Sequence, residues 1–181
     1  MTSSTHRHGE ESQRIAVVIA GHTGDVATVL ASIDSDDPAV RASALTALER
    51  LGRLDNEVLQ THLGDTDSSV RRRCAELAAK HPEVDLFTTL HDSDPLVTEM
   101  AAWACGEQGS VSDAVMDRLV HLAGHHEDAL VREAAVASLG ALQDERGLDA
   151  ILVACRDKPA VRRRAVLALA PFSGDRVDQA L

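Results

Sequence analysis

Three histidines in the stretch "VHLAGHHEDA" are the residues of this sequence best suited to bind a metal ion. His121 and His125 are four residues apart, a spacing that places two imidazoles on one face of a helix. Gly124 between them lowers the helical tendency of the stretch, and His126 and Glu127 follow as a single His-Glu pair. We therefore expect no metal ion and no other cofactor.

The three cysteines offer little chemistry. Cys74, Cys105 and Cys155 form no CxxC pair, and their odd number does not suit a disulfide framework. Cys74 and Cys105 stand at repeat positions otherwise filled by alanine or leucine, so we interpret them as small core residues. The sequence also lacks a Ser-His-Asp spacing, a Walker loop and a GxGxxG motif. We predict no catalytic residue and a reducing, cytoplasmic location.

Two runs of arginine are unexpected because the chain as a whole is acidic. "SVRRRCAEL" begins at Ser69 and "AVRRRAVLAL" at Ala160, whereas the 181 residues carry a formal net charge of -11. Both runs follow a valine that recurs at steps of 30, 27, 34 and 30 residues. These anchor valines are Val40, Val70, Val97, Val131 and Val161. A period of this length indicates stacked supersecondary units.

Each anchor valine is predicted to lie in the first turn of a helix, which we call the second helix of its repeat. In four repeats an aspartate stands three residues before the anchor, and aspartate is a preferred helix cap. In the fifth repeat Lys158 takes this place and Asp157 lies one residue earlier. Proline follows in three repeats, at the position where a helix tolerates it. The four capping aspartates are Asp37, Asp67, Asp94 and Asp128.

Apolar residues four, five and eight positions after each anchor fall on one arc and form a continuous stripe. The predicted first helices are the apolar stretches "DVATVLASI", "NEVLQTHL", "VDLFTTL", "SDAVMDRLVHL" and "GLDAILVAC". A single hairpin cannot bury its stripe alone, so neighbouring hairpins must stack. We predict an all-α fold, a right-handed α-solenoid of about five helical hairpins over residues 14–181.

The two ends of the chain are less regular. Residues 1–13, "MTSSTHRHGEESQ", are polar without periodicity and are predicted to form a mobile tail. "RIAVVIAG" fits a half-repeat, with a strand as the alternative for residues 15–21. "DRVDQAL" at the other end fits the start of a sixth first helix.

The motif D-x-(D)-P-x-V-R, followed by alanine and leucine at helical spacing, resembles the HEAT-like repeat of the phycobilisome-lyase type. The resemblance covers residues 25–181. It implies a solenoid whose second helices line the concave face, and functions that range from binding scaffolds to lyases, hydroxylases and glycosylases. Deoxyhypusine hydroxylases, which are similar repeat proteins, hold iron through several His-Glu pairs, and this chain has only one such pair.

The arginines fall into two groups according to their position after the anchor valine. The arginine directly after it is predicted to pair with the acidic turn of its own or an adjoining repeat. This position holds Arg41, Arg71, Arg132 and Arg162, with Thr98 in the third repeat. The next two arginines lie away from the stripe. We interpret them either as solvated charges or as a strip that binds acidic groups.

Trp103, the only tryptophan, stands six residues after its anchor and outside the buried arc. Two interpretations stay open: it covers Met100 of its own repeat, or it anchors a partner protein, because Trp and Arg often dominate binding energy. The predicted partner-binding residues are Trp103, Met100, Glu99, Arg72, Arg73, Glu76, Glu133, Arg163, Arg164 and Leu167.

These patterns favour a non-enzymatic scaffold or adaptor that binds another protein. The alternative is a lyase-type HEAT-repeat enzyme or enzyme subunit acting on a tetrapyrrole, with a metal-dependent hydroxylase less expected. Nucleic acid is not an expected partner because the net charge of -11 repels phosphate. A membrane is not expected either, since the longest apolar run is far shorter than the roughly 20 residues that span a bilayer.

Overall fold

The described chain consists of helices joined by turns and short irregular segments. The computed structural model describes residues 2–180, with side chains from residue 11 onward, and no residue in this range forms a strand. The chain divides into two compact units, Met1–Leu77 and Ala78–Leu181. Within the described range no helix is long and apolar enough to cross a bilayer.

Unit 1 is built from helical hairpins preceded by one further helix. Its described helices are α1 (Thr2–Thr23), α2 (Val26–Leu30), α3 (Pro38–Arg50), α4 (Asn56–His62) and α5 (Ser68–Ala78), the last of which ends one residue past the boundary. Helices α3 and α5 are second helices. Helix α1 packs on α3 as a second helix would, which fits the half-repeat that the sequence predicts.

Unit 2 repeats the same hairpin. Its described elements are a 3₁₀ turn (Thr89–His91), α6 (Pro95–Gln108), α7 (Asp113–His125), α8 (Ala129–Leu142), a second 3₁₀ turn (Glu145–Gly147), α9 (Leu148–Ala154), α10 (Pro159–Ala168) and α11 (Asp175–Asp178). Helix α8 packs between α6 and α10, so the three second helices lie side by side. Their anchor valines are completely buried.

The predicted helix starts are confirmed. Each of the four capping aspartates accepts a hydrogen bond from the backbone N–H two residues further on, at 2.8 or 2.9 Å. This bond satisfies one of the backbone donors that a helix start leaves without a partner. Lys158 precedes α10 without a side-chain cap.

Small residues allow the second helices of unit 2 to approach closely. A Cβ atom on Gly106 would lie 2.9 Å from the Cα of Ser138, and one on Gly140 would lie 2.8 Å from the Cα of Ala168. The Ser138 hydroxyl donates to the Ala102 carbonyl of α6 at 2.5 Å. Backbone contact of this kind leaves no room for larger side chains between the helices.

One predicted first helix is wrong. The stretch "VDLFTTL" forms turns and the short 3₁₀ segment Thr89–His91 instead of an α-helix. The Asp85 carboxylate accepts from the N–H of Phe87 at 2.9 Å, which favours a turn. Gln108 of α6 supplies side-chain donors to the backbone that leads into this segment. Its amide donates at 3.1 to 3.2 Å to the carbonyls of Ala78, His81 and Val84.

Two expectations concern the start of the chain, a strand as the alternative for residues 15–21 and a mobile tail over residues 1–13. Residues 15–21 belong to α1, so the alternative of a strand is wrong. The predicted mobile tail, residues 1–13, falls mostly on residues whose side chains lie outside the described range. Its mobility stays a prediction.

Candidate protein-binding surface

An arginine clamp joins consecutive repeats. We use this name for the arginine after the anchor when it binds both the turn before its own helix and the aspartate of the next turn. Arg132 donates through Nη1 to the carbonyls of His126 and Glu127 at 2.7 and 3.0 Å. Its Nε and Nη2 atoms donate to the Asp157 carboxylate at 2.6 and 2.9 Å. The predicted pairing with acidic turns is confirmed here.

Arg41 forms the same clamp in unit 1. It donates to the carbonyls of Ser35 and Asp36, and binds the Asp65 carboxylate through two hydrogen bonds of 2.8 and 2.7 Å. Burial opposes ionisation of Asp65, but hydrogen bonds from Arg41 and from the Asp67 N–H keep its pKa below the ordinary value. The hydrogen bond from Arg132 likewise lowers the pKa of Asp157.

Two further repeats vary this arrangement. Arg71 donates to the carbonyls of Asp65 and Thr66 of its own turn, as the clamp arginines do. In the third repeat the hydroxyl of Thr98 replaces the arginine by donating to the Asp92 carbonyl. Arg162 contradicts the prediction. Its side chain is exposed and makes no hydrogen bond or ion pair with any described residue. No described residue supplies a following turn to receive it.

The ten residues predicted to bind a partner all lie on second helices. Seven of the ten lie in unit 2, on α6, α8 and α10: Glu99, Met100, Trp103, Glu133, Arg163, Arg164 and Leu167. Trp103 is 38% exposed and Leu167 is 66% exposed. The position of Trp103 outside the buried arc is therefore confirmed. Arg164 pairs with Glu133 across α8 and α10 at 3.6 Å, which joins two of the predicted residues.

One feature beside these residues was not predicted from the sequence. Between α8 and α10 lies a shallow cavity of about 240 Å³. Its lining includes Ala137 and Ala141 of α8 together with Arg164 and Leu167 of α10. Ala137 occupies the same repeat position as Trp103 and Leu167, six residues after the anchor. The small residues of α8 could have indicated this cavity, because they leave a depression beside the exposed side chain of Leu167.

The other three predicted residues lie on α5 of unit 1 and are described separately. Arg72 is exposed, and Arg73 and Glu76 are half-buried and pair with each other at 2.6 Å. Arg73 also lines a cavity of about 310 Å³ in unit 1, next to Val18 of α1 and Ser43 of α3. An ion pair of two partly solvated side chains three residues apart on one helix adds little stability.

The histidines lie on a different part of unit 2. Helix α7 continues through Gly124 to His125, although the sequence made this doubtful. Burial of the neighbouring Leu122 and Ala123 outweighs the cost of one glycine, which is about 1 kcal/mol. The His121 and His125 rings stack with their centroids 4.8 Å apart.

The same histidines line a cavity of about 490 Å³ in unit 2 together with Arg118. Partial burial and the nearby His125 and Arg118 lower the pKa of His121. Among the described side chains, no group of three or more His, Cys, Asp or Glu residues is arranged to hold a metal ion. Whether the chain takes a cofactor stays a prediction.

The cysteines are placed as the sequence predicts. Cys74 and Cys105 are completely buried. Burial raises the pKa of both thiols to about 12, which keeps them protonated and unreactive near neutral pH. Cys155 is half-buried, and burial raises its pKa as well.

Side-by-side second helices, capped by aspartates and joined by arginine clamps, define an all-α repeat protein of the α-solenoid class. Residues 83–170 match the family model for HEAT repeats. These residues are HEAT-like repeats, as the sequence predicts, and the phycobilisome-lyase qualifier stays a prediction. Comparison with curated proteins gives no match.

Two solved structures are similar to this chain. The crystal structure of an engineered protein is 20% identical, with a TM-score of 0.64, and the alignment covers 99% of this chain and 94% of that one. This likeness supports the fold alone. Human deoxyhypusine hydroxylase in complex with glycerol is 16% identical with a TM-score of 0.44, over 94% of this chain and 80% of that one. A similarity this low says nothing about the activity of this chain.

Proposed function

We propose that the chain is a non-enzymatic scaffold that binds another protein through the second helices of unit 2. The observation that carries the proposal is an apolar row across three adjacent helices, formed by the exposed Trp103 and Leu167 with the half-buried Ala137 between them. Large exposed apolar side chains beside a depression are typical of protein-binding surfaces. The cytoplasmic location is part of the same proposal.

Charge around this row restricts the partner. Glu99 and Glu133 lie on α6 and α8, whereas Arg163 and Arg164 lie on α10. A partner that places an apolar side chain over Ala137 would therefore meet acidic groups on one side and basic groups on the other. Such a charged rim favours a partner segment with a basic residue and an acidic residue flanking its apolar contact.

The test is capture of partners from a lysate of the native host on immobilised protein. We expect Trp103→Ala to weaken capture of the bound partner by about 2 kcal/mol or more, because central tryptophans dominate interface energies. Val153→Ala is the matched control, since Val153 is 65% exposed but lies on the first helix α9. Circular dichroism and melting should be unchanged in both variants.

Equal capture of the partner by the two variants would show that the second helices of unit 2 are not the binding site. The alternative of a lyase-type enzyme stays a prediction and is separable by another measurement. A purified protein that carries a coloured tetrapyrrole or a stoichiometric metal ion would favour it.

A further inference from the structure

Arginines from three helices of unit 1 border one cavity of about 310 Å³. Arg14 lies on α1, Arg50 ends α3 and Arg73 lies on α5. Among the described residues, no aspartate or glutamate lines this cavity. A basic cavity in a chain with a net charge of -11 points to an anionic ligand, because the surrounding acidic surface does not otherwise attract one.

Two of these guanidinium groups are not paired within the described part of the chain. Arg14 and Arg50 are exposed, and neither forms a hydrogen bond or ion pair with a described residue. Arg73 pairs with Glu76 at 2.6 Å. Arg41, which also lies on α3, differs because its clamp occupies the guanidinium. The cavity therefore keeps two positive charges that no described carboxylate offsets.

The packing of α1 on α3 holds Arg50 beside the cavity. A Cβ atom on Gly21 of α1 would lie 2.7 Å from the Cβ of Ala47, so the two helices approach closely at this end. The same position is 3.7 Å from Nη1 of Arg50, which places this guanidinium against α1. A group already held near its binding position loses less conformational entropy when a ligand arrives.

Helix α3 gives the cavity an apolar side made of small residues. The Ser43 hydroxyl donates to the Ala39 carbonyl at 2.7 Å, and the Thr46 hydroxyl donates to the Ala42 carbonyl at 2.9 Å. These hydroxyl hydrogens are used by the helix itself, so this side offers a ligand mainly methyl and methylene groups. The lining residues of α3, apart from Arg50, are Ala39, Ala42, Ser43, Thr46 and Ala47. The ligand therefore combines an anionic group with a small apolar group.

The corresponding cavity of unit 2 shows that the helix packing does not require these arginines. Between α8 and α10 a glycine again packs against an alanine, Gly140 on Ala168. The cavity beside them contains one arginine, Arg164, which pairs with Glu133 at 3.6 Å. Second helices thus pack in the same way around a cavity without unpaired arginines.

We propose that the cavity of unit 1 binds a phosphate monoester that carries a small apolar group. Such a phosphate has a charge of about −1.5 to −2 at neutral pH and three acceptor oxygens, which suits guanidinium groups that approach from different helices. A carboxylate has two oxygens, and one guanidinium can occupy both through parallel hydrogen bonds. The site belongs to unit 1 and does not depend on the partner surface proposed for unit 2.

The probe is phenyl phosphate, and calorimetric titration of the full-length chain at physiological salt measures its Kd. We expect Arg14→Gln and Arg50→Gln each to raise the Kd by about tenfold or more, because each removes a charged donor to the phosphate. Arg72→Gln is the matched control, since it removes an equal charge from an exposed position of α5 that does not line the cavity. It should change the Kd by less than about twofold.

A second variant tests the apolar side with every arginine retained. Ala39→Leu should weaken binding of phenyl phosphate by about tenfold or more, because the larger side chain fills the space beside α3. The fold tolerates leucine here, since Leu96 and Leu130 stand at the same repeat position, one residue before the anchor. Melting of this variant should be unchanged.

Inorganic phosphate and phenol each carry one half of the probe, and both should bind at least about tenfold more weakly than phenyl phosphate. An equal Kd for inorganic phosphate would show an adventitious ion only and overturn the proposal. Equal losses in Arg50→Gln and Arg72→Gln would show attraction by charge alone, with the same consequence. Failure of the full-length chain to bind phenyl phosphate would overturn it too.

Discussion

The arginine that follows the anchor valine contributes very differently to stability at two equivalent positions, Arg132 and Arg162. In the Arg132 clamp every guanidinium nitrogen donates to a carbonyl or a carboxylate, so a charge that is nearly buried is fully compensated. Removing one partner of such a pair leaves the other without compensation in a poorly solvated place. Arg162 has the same sequence context but remains in water.

We predict that Arg132→Ala lowers the free energy of unfolding by about 3 kcal/mol, because Asp157 and two turn carbonyls lose their donor. The same substitution at Arg162 should change it by less than about 0.5 kcal/mol, as is usual for an exposed side chain. Urea unfolding followed by circular dichroism measures both values. Similar losses at the two positions would show that the clamp is not what stabilises the stack.

At the scale of the helices, small residues decide how closely the repeats pack. Gly140 of α8 lies against the backbone of Ala168, whereas a Cβ atom added to Gly124 of α7 would meet no packed neighbour within 4 Å. Both glycines are helical, so the loss of backbone entropy on folding is the same for each. Only the space around them differs.

This contrast predicts opposite signs for one substitution. Gly124→Ala should stabilise the protein by about 0.5–1 kcal/mol through helix propensity. Gly140→Ala should destabilise it by about 1–3 kcal/mol, because the added methyl group overlaps the Cα and carbonyl oxygen of Ala168 and forces α8 and α10 apart. Thermal melting of the two variants gives the comparison. A stabilised Gly140→Ala protein would contradict the close approach of these helices.

For the molecule as a whole, each unit carries an apolar core with one completely buried cysteine. Cys74 reports on unit 1 and Cys105 on unit 2. Their thiol pKa values of about 12 mean that reaction with a thiol reagent at neutral pH needs opening of the surrounding core.

We predict that Cys74 and Cys105 react in the native protein far more slowly than the half-buried Cys155, and that all three react at similar rates in concentrated urea. Mass spectrometry of quenched samples assigns each modified cysteine. A native Cys74 or Cys105 that reacts as fast as Cys155 would show that the register of the second helices is wrong, and with it the exposed position of Trp103.

The repeat, the helix starts and the buried face follow from the order of the amino acids alone. Aspartate caps and anchor valines act within a few residues of one another, and the apolar period follows from helix geometry, so local order was enough to predict them. The same order predicted that Cys74 and Cys105 are buried and that Trp103 is exposed. The stretch "VDLFTTL" was misjudged because the backbone that leads into it is held by Gln108, more than twenty residues away, through the carbonyls of Ala78, His81 and Val84.

Which arginines are clamps and which surfaces stay open depends on the folded chain. Arg132 and Arg162 each follow an anchor valine, but a later turn brings an aspartate to the guanidinium of Arg132 and none of the described residues does so for Arg162. The cavity beside Leu167 likewise depends on the close packing of α8 and α10, which Gly140 permits. A local pattern cannot show such differences, because the groups that create them are brought together by the stacking of repeats.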